Sequence, residues 1–143
     1  MSTLDKAWEI ASEAHKNDKW GTIPYIRHLS MVLFETFSMV EGEDMDVFFT
    51  AILHDVIEDH PEYSTQIEKD FPKIYDSLIT LARKEDETYS DFIQRIIDSG
   101  DKCALIVKLA DMRVNLYNDP PNNLRLRYEQ NIDKLEKAVI NCK

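Results

Sequence analysis

Apolar positions recur at helical rather than strand spacing along the chain. After Ser2, a residue suited to capping a helix, Leu4, Trp8 and Ala11 recur every three to four residues and predict a first helix that ends near Asn17. No run of alternating apolar and polar residues indicates a strand. The pattern therefore predicts an all-α fold.

Prolines, glycines and capping residues divide the rest of the chain into further helices. Pro24 is suited to the first position of a second helix, which ends near Val40. A mostly apolar third helix is predicted to start at Asp44 or Asp46 and to continue through Asp59. The other predicted helices are one that starts at Thr65 and is interrupted by Pro72, one over 74–81, one capped by Thr88 or Ser90 and closed by Gly100, one over 103–116 and one over 124–139.

Length and composition are those of one globular domain. At 143 residues the chain has the usual size of a single domain, so residues 1–143 are expected to form one. Its hydrophobic share of 43% and charged share of 31% are ordinary for a soluble protein. With only 3 glycines and 5 prolines, the chain has few helix breakers, which agrees with the helical pattern.

The charge of the chain limits its partners. A net charge of −10 repels phosphate backbones, and no basic stripe is found, so extended nucleic acid is not an expected partner. A small anionic substrate agrees with this charge, because a bound cation and a few Lys or Arg side chains reverse the potential locally.

The cysteines and the apolar runs indicate a cytoplasmic location. Cys103 and Cys142 match no zinc-ligand spacing and are too few for a disulfide framework. The apolar runs are far shorter than the roughly 20 residues of a membrane-spanning helix, and the amino terminus has no signal-peptide core. No membrane association is expected.

The most informative segment, 53–59, places the ionisable side chains His54, Asp55, Glu58 and Asp59 on a predicted helix that is otherwise apolar. Buried charge is costly unless it is paired or binds a metal. His54 and Asp55 are adjacent and can reach one ion between them, while the other two carboxylates lie one turn further on. Carboxylates there can orient a ligand, hold water or transfer a proton, as metal-assisted hydrolysis requires. The alternative is a polar helix end with a chance His-Asp pair.

A further acid, Asp111, lies at the end of the apolar run 104–111 and needs a cation or a hydrogen-bond donor nearby. Asn115, one turn later, can hydrogen-bond substrate or a ligand. Lys108, one turn earlier, can neutralise a phosphate, or its stem can lie over the core with the amine in water.

His28, on the first turns of the second helix, completes a set of ligands with mixed nitrogen and oxygen donors. Such donors suit Mn²⁺, Fe²⁺, Co²⁺, Ni²⁺ or Zn²⁺ better than Ca²⁺. Four protein ligands leave positions open on an octahedral ion for water and a phosphate oxygen. The set consists of His28, His54, Asp55 and Asp111.

Together these motifs resemble those of the HD-domain metal-dependent phosphohydrolases, in particular the hydrolase domain of RelA/SpoT-type guanosine tetraphosphate enzymes and their small stand-alone relatives. The resemblance spans roughly Ala14 to Leu116. It rests on Ala14-His15, Pro24-Tyr25-Ile26-Arg27-His28, Leu53-His54-Asp55-Val56-Ile57-Glu58-Asp59, and Val107-Lys108-Leu109-Ala110-Asp111 with Asn115.

The resemblance implies an HD-domain bundle of about seven to eight helices that holds one divalent ion, typically manganese. Glu58 and Asp59 take the positions of the catalytic carboxylates, and Asn115 takes that of a nucleotide contact. In the RelA/SpoT branch, water attacks the 3′-pyrophosphate of guanosine tetraphosphate and releases it. The metal ligands implied are again His28, His54, Asp55 and Asp111.

Two departures from the family pattern bear on the substrate. The Arg-Lys pair that grips the guanine nucleotide is replaced by Lys19 and Trp20, of which Trp20 offers an aromatic face for a base. The Arg-Thr pair after Asn115 is replaced by Tyr117-Asn118. The predicted substrate contacts are Lys19, Trp20, Lys108 and Asn115.

The leading hypothesis is a metal-dependent phosphohydrolase acting on a small nucleotide, with removal of the 3′-pyrophosphate of guanosine tetraphosphate as the first candidate reaction. A 5′-nucleotidase-type HD hydrolase is the alternative within the family. A non-catalytic nucleotide-binding HD module is the alternative from another class, and the complete ligand set argues against it. The pattern does not decide the oligomeric state.

Two further histidines are interpreted as structural. His15 lies on the apolar stripe of the first helix and is expected in the core, although the family often has a histidine there. His60 precedes Pro61 and is interpreted as a surface cap.

Overall fold

A computed structural model describes residues 2–142, and most of them are helical. The helices are α1 (Thr3–Ala14), α2 (Tyr25–Phe37), α3 (Met45–Leu53), α4 (Val56–Asp59), α5 (Ser64–Asp70), α6 (Tyr75–Leu81), α7 (Tyr89–Ser99), α8 (Lys102–Tyr117) and α9 (Asn122–Cys142). A 3-10 turn covers Pro61–Tyr63, and the two-residue strands β1 (Lys19–Trp20) and β2 (Ile23–Pro24) pair antiparallel. If the single turn α4 is counted with α3, the described residues form eight α-helices, and the predicted all-α fold is confirmed.

Several of the predicted helix caps are present. The side-chain oxygens of Ser2, Asp44 and Thr88 each accept a hydrogen bond from a backbone N–H one turn later, at 3.1 to 3.3 Å. Each bond satisfies an amide that has no partner within its helix. Gly100 ends α7 with a φ of 65°, a conformation that costs glycine little. These ends follow directly from local sequence.

Other boundaries differ from prediction. Helix α1 ends at Ala14 rather than near Asn17, and the chain then forms a β-turn hairpin whose strands are too short to show alternation. Pro24 lies in β2 and precedes the first helical residue instead of occupying it. The predicted cap at Thr65 is wrong, because α5 already begins at Ser64 and has no side-chain cap.

The third predicted helix is not continuous. It ends at Leu53, and a new turn begins at Val56, so that His54 and Asp55 lie at the junction of α3 and α4. The backbone of Asp55 has φ −104° and ψ −4°, away from regular helical values. The junction changes the directions of the two side chains relative to a straight helix.

Helix α8 lies at the centre of the fold. It packs against α2, α3, α6, α7 and α9, and residues 104–107, 109–112 and Val114 are buried. A helix that is apolar on all sides is expected to be surrounded by others, because no face of it is left for solvent. Within residues 2–142, no helix combines the length and apolar character needed to cross a membrane.

Candidate metal centre and adjoining cleft

Four side chains from three parts of the fold meet beside α8. His28 comes from α2, His54 and Asp55 from the junction of α3 and α4, and Asp111 from the middle of α8. One nitrogen or oxygen atom from each lies within 4.8 Å of the other three. We call this group the four-ligand cluster, and its members are those predicted from sequence.

The donor atoms of the four-ligand cluster face each other. The Oδ1 atom of Asp111 lies 2.9 Å from Nε2 of His28 and 3.3 Å from Nε2 of His54. The same His54 nitrogen is 3.0 Å from Oδ2 of Asp55. Two carboxylates and two imidazoles converging in this way form a mixed nitrogen and oxygen donor set, which fits a divalent transition-metal ion.

Most of the cluster is shielded from water. The side chains of His28 and His54 are 2% exposed and that of Asp111 is 8% exposed, while Asp55 at 18% is the most accessible. Burial alone would lower the pKa of His54, but the Asp55 and Asp111 carboxylates outweigh it and raise that pKa well above its usual value. The two carboxylates thus favour positive charge beside His54, which a bound cation would also provide.

The ring orientation of His54 is fixed by a hydrogen bond on the side of the ring that faces away from the four-ligand cluster. Its Nδ1 atom lies 2.7 Å from the carbonyl oxygen of Ala51, an acceptor, so the neutral ring carries its proton on Nδ1. This leaves the lone pair of Nε2 directed into the four-ligand cluster. A carbonyl acceptor behind a histidine is the usual support of a metal-binding imidazole.

Asp111 is held by two neighbours on α8. The ammonium of Lys108 donates to its Oδ2 atom at 2.9 Å, and the amide of Asn115 donates to its Oδ1 atom at 3.3 Å. Burial would raise the pKa of Asp111, but Lys108 and His28 hold it well below its usual range. Asp111 is therefore ionised and held in a fixed orientation.

Asp55 has a partner that sequence reasoning missed. The hydroxyl of Tyr25 donates a hydrogen bond to its Oδ2 atom, and the Tyr25 ring lies 5.2 Å from that of His28. Tyr25 stands three residues before His28, which puts both on one face of α2. No local pattern predicts its contact with Asp55, because 30 residues separate the two.

The predicted catalytic carboxylates lie on α4, directly after the junction that carries His54 and Asp55, and both residues are exposed. Glu58 accepts a hydrogen bond from the backbone N–H of Arg83, which ties α4 to the loop after α6. Partial loss of hydration, with the charges of Asp55 and Glu58, raises the pKa of Asp59 to about 7. A carboxyl of that kind exchanges protons near neutral pH.

A cleft of about 490 Å³ adjoins the cluster. Its walls are formed by residues 20–23, by Asn115 at the end of α8, by 118–121 and by Leu124 and Tyr128 of α9. Trp20 links the cleft to the four-ligand cluster, because its ring centroid lies 4.7 Å from that of His28. Its indole N–H donates to Oδ1 of Asn115 at 3.1 Å.

The predicted substrate contacts occupy different environments. Trp20 and Asn115 line the cleft together, whereas Lys19 is exposed and is not part of its wall. Lys108 has a buried ammonium that lies against Asp111 and over the rings of Tyr89 and Phe92, at 5.5 and 5.1 Å from their centroids. The alternative of an amine in water is wrong, because the ammonium of Lys108 donates to Asp111 and its side chain is only 12% exposed. The phosphate contact of Lys108 stays a prediction.

The two remaining histidines lie close to the four-ligand cluster. His15 is 3% exposed, which confirms its prediction as a core residue. His60 occupies the cap position between α4 and the 3-10 turn and is partly exposed, as predicted, but its side chain makes no capping hydrogen bond. Its Nε2 atom instead lies 2.6 Å from Oδ2 of Asp18. The same oxygen is 2.8 Å from Nδ1 of His15.

No protein-family model and no curated protein sequence matches the chain. A solved structure does match: a metazoan ortholog of SpoT, described as hydrolysing ppGpp and playing a role in starvation responses. It superposes with a TM-score of 0.74 at 21% identity, over 99% of this chain and 85% of its own. The predicted resemblance to the RelA/SpoT hydrolase domain is thereby confirmed at the level of the fold.

Proposed function

We propose that the chain is a metal-dependent phosphohydrolase of the HD-domain type that acts on a small phosphorylated nucleotide. Guanosine tetraphosphate is the first candidate substrate, and the proposed reaction releases pyrophosphate from its 3′ position. The observation that carries the proposal is the four-ligand cluster beside a cleft lined by Trp20 and Asn115. The fold, shared with a protein described as hydrolysing ppGpp, supports the same substrate class.

The proposed cofactor is one divalent ion, with Mn²⁺ first and Fe²⁺, Co²⁺, Ni²⁺ and Zn²⁺ as alternatives. His28 and His54 would hold it through Nε2, and Asp55 and Asp111 through carboxylate oxygens. Such an ion, when bound, neutralises charge on the transferring phosphoryl group and acidifies water. The donor set supports this proposal because its mixed hardness is typical of these metals.

The surrounding residues would keep the ligands oriented. Tyr25 holds Asp55 through its hydroxyl, and the ammonium of Lys108 holds Asp111. The carbonyl of Ala51 fixes the tautomer of His54. Each contact restricts a ligand to the rotamer in which its donor atom faces the others, which reduces the ordering cost of metal binding.

Glu58 and Asp59 are proposed as the groups that move protons. In the hydrolysis, a water oxygen bonds to the phosphorus attached to the ribose 3′-oxygen, and the bond between that phosphorus and the 3′-oxygen breaks. One carboxylate takes the proton released by the water, and the other supplies the proton that the 3′-oxygen gains. Both side chains are open to solvent beside the cluster, which gives a substrate access to them.

The nucleotide is proposed to bind in the cleft. Trp20 offers a ring for stacking, and Asn115 offers an amide. Asn118 also lines the cleft, whereas Tyr117 is 69% exposed and pairs with Glu35 outside it. Lys19, exposed next to Trp20, is retained as a predicted substrate contact at the rim.

We also propose that residues 1–143 act as one domain in the cytoplasm. The cluster combines residues from α2, the α3–α4 junction and α8, so these elements must stay together for any activity. Both Cys103 and Cys142 are free, which suits a reducing compartment.

The test is a turnover assay on metal-analysed protein with Mn²⁺ and a panel of nucleotides that includes guanosine tetraphosphate. We expect pyrophosphate from guanosine tetraphosphate and none from Asp55→Ala. Asp98→Ala, an exposed carboxylate on α7, is the matched control and should retain full turnover. Orthophosphate from a monophosphate would instead support the 5′-nucleotidase alternative. Nucleotide binding without turnover or bound metal would support the binding module.

The same assay tests the proton-transfer roles. Glu58→Gln and Asp59→Asn should each lower kcat by about 10² to 10⁴ while metal content stays near that of the wild type. Full activity in both variants would refute the assignment. If the variants lose metal together with activity, Glu58 and Asp59 orient the metal ligands instead of transferring protons.

A further inference from the structure

A second group of metal-ligating side chains lies next to the four-ligand cluster. It consists of His15 at the end of α1, Asp18 in the loop before β1, and His60 directly after α4. One donor atom from each lies within 4.8 Å of the other two. We call it the second cluster, and none of its members belongs to the machinery proposed above.

The second cluster is built around one carboxylate oxygen. Oδ2 of Asp18 lies 2.8 Å from Nδ1 of His15 and 2.6 Å from Nε2 of His60. Two imidazoles facing one carboxylate oxygen repeat the arrangement around Asp111, where the distances are 2.9 and 3.3 Å. The resemblance is chemical as well as geometric, since both groups offer nitrogen and oxygen donors.

The charge around Asp18 differs from that around Asp111. Asp111 has the ammonium of Lys108 as a partner, whereas Asp18 pairs with His15 and His60 and, among residues 2–142, with no Lys or Arg. Asp18 therefore has no counterpart of the permanently charged partner that Asp111 has. A bound cation would supply the positive charge that this site lacks.

The second cluster is also accessible. The His15 side chain is fully shielded, but Asp18 and His60 are 31% and 24% exposed, so an ion and a water molecule can reach them. Two histidines and one carboxylate with an open fourth position is a donor set that zinc adopts. The donor atoms around a tetrahedral zinc ion lie roughly 3.3 Å from one another, because each of them is near 2.1 Å from the ion. The ligands would therefore have to spread by about 0.5 to 0.7 Å, which the loop at Asp18 and the non-helical backbone of His60 allow.

We propose that His15, Asp18 and His60 form a second divalent-metal site, of the kind that binds Zn²⁺, distinct from the four-ligand cluster. The ion would connect the loop before β1 to His60, the residue that directly follows Asp59 at the end of α4. The Tyr25 side chain lies between the two sites. Its ring centroid is 4.7 Å from that of His15, and its hydroxyl donates a hydrogen bond to Asp55. The second ion would thus fix one wall of the proposed active site.

The experiment counts metal ions on full-length protein that has been stripped with a chelator and dialysed against Zn²⁺. Elemental analysis should give two ions per chain for wild type, one for Asp18→Ala, one for His60→Ala and one for Asp111→Ala. The double variant Asp18→Ala/Asp111→Ala should retain none. His15 is left unchanged because its burial makes substitution a test of folding, and Asp98→Ala should retain two ions.

The single variants separate this proposal from the proposed function. One ion in wild type that is lost in Asp111→Ala and kept in Asp18→Ala overturns the second site and leaves the four-ligand cluster intact. One ion that is kept in Asp111→Ala and lost in Asp18→Ala supports the second site and contradicts the first. Circular dichroism of each variant establishes that an ion was lost from a folded chain; if Asp18→Ala does not fold, His60→Gln decides by the same count.

Discussion

The ammonium of Lys108 and the carboxylate of Asp111 lie 2.9 Å apart at the buried centre of the fold, one turn apart on α8. Their side chains are 12% and 8% exposed, so neither charge is well hydrated. A buried charge that loses its partner keeps the full cost of its own desolvation. The pair therefore links the stability of α8 to the proposed metal site, because an ion bound by Asp111 would replace part of what Lys108 supplies.

Lys108→Met is expected to destabilise the metal-free protein by about 3 to 5 kcal/mol, the usual result of breaking a buried ion pair from one side. With Mn²⁺ bound the loss should be smaller, because the ion compensates Asp111. Urea unfolding with and without Mn²⁺ measures both values. Lys102→Met is the control, since its ammonium is exposed and lies 3.6 Å from Asp44, and it should change stability by less than about 1 kcal/mol. An equal loss with and without metal would contradict the link.

Tyr25→Phe removes the hydroxyl that holds Asp55 and keeps the ring beside His15 and His28. We expect the dissociation constant for Mn²⁺ to rise by about 10- to 100-fold, as is typical when a residue supporting a metal ligand is removed. Isothermal titration of the folded variant measures it. The hydroxyl of Tyr75 forms a hydrogen bond with Ser64 away from the site, so Tyr75→Phe should bind Mn²⁺ like wild type. If both variants bind equally, the hydroxyl has no role in orienting Asp55.

Trp20→Ala should raise KM for the nucleotide. Loss of base stacking costs about 1 to 3 kcal/mol, which corresponds to roughly 5- to 150-fold in affinity. Trp20→Phe keeps an aromatic face but loses the hydrogen bond to Asn115, so its KM should lie between those of wild type and Trp20→Ala. Metal content should be the same in all three proteins. An unchanged KM in Trp20→Ala would mean that the nucleotide base does not stack on Trp20.

Three members of the four-ligand cluster, His54, Asp55 and Asp111, were predictable because each is an ionisable residue in an apolar segment. His28 was predictable only in combination with them. A buried charge needs a partner, and this requirement can be read from one stretch of sequence at a time, as for Asp111 within α8. The caps at Ser2 and Thr88 were predictable for a similar reason, since the bond they make spans only one turn.

Contacts between distant segments were not predictable. The hydrogen bond from Tyr25 to Asp55 and the approach of His60 to Asp18 join parts of the chain 30 and 42 residues apart. Neither pair has a local pattern that favours it over other polar partners. The break between α3 and α4 was missed as well, because the segment contains no proline or glycine and its apolar pattern continues through Val56.

Arg95 and Glu87 form a two-pronged ion pair that should contribute to the acid sensitivity of the helical scaffold. Nε and a terminal nitrogen of Arg95 bond the two carboxylate oxygens of Glu87 at 2.7 and 3.0 Å. Arg95 also donates to the carbonyl oxygens of Thr80 and Ala82 at 3.0 and 3.1 Å, so it fastens α7 to the end of α6. These hydrogen bonds, more than any other contact, lower the pKa of Glu87 from its ordinary 4.5 to about 2.

Because the pKa of Glu87 is lower in the folded chain than in the unfolded one, the pair stabilises the fold fully above about pH 4.5, and this contribution is lost as the pH falls toward 2. Glu87→Gln should lower the free energy of unfolding by about 1 to 2 kcal/mol at pH 6. The difference from wild type should shrink between pH 4.5 and 2, because protonation of Glu87 then weakens the wild-type pair too. Urea unfolding across this range measures it, with Asp98→Asn as an exposed control. A constant difference at all pH values would mean that the carboxylate charge is not what stabilises this contact.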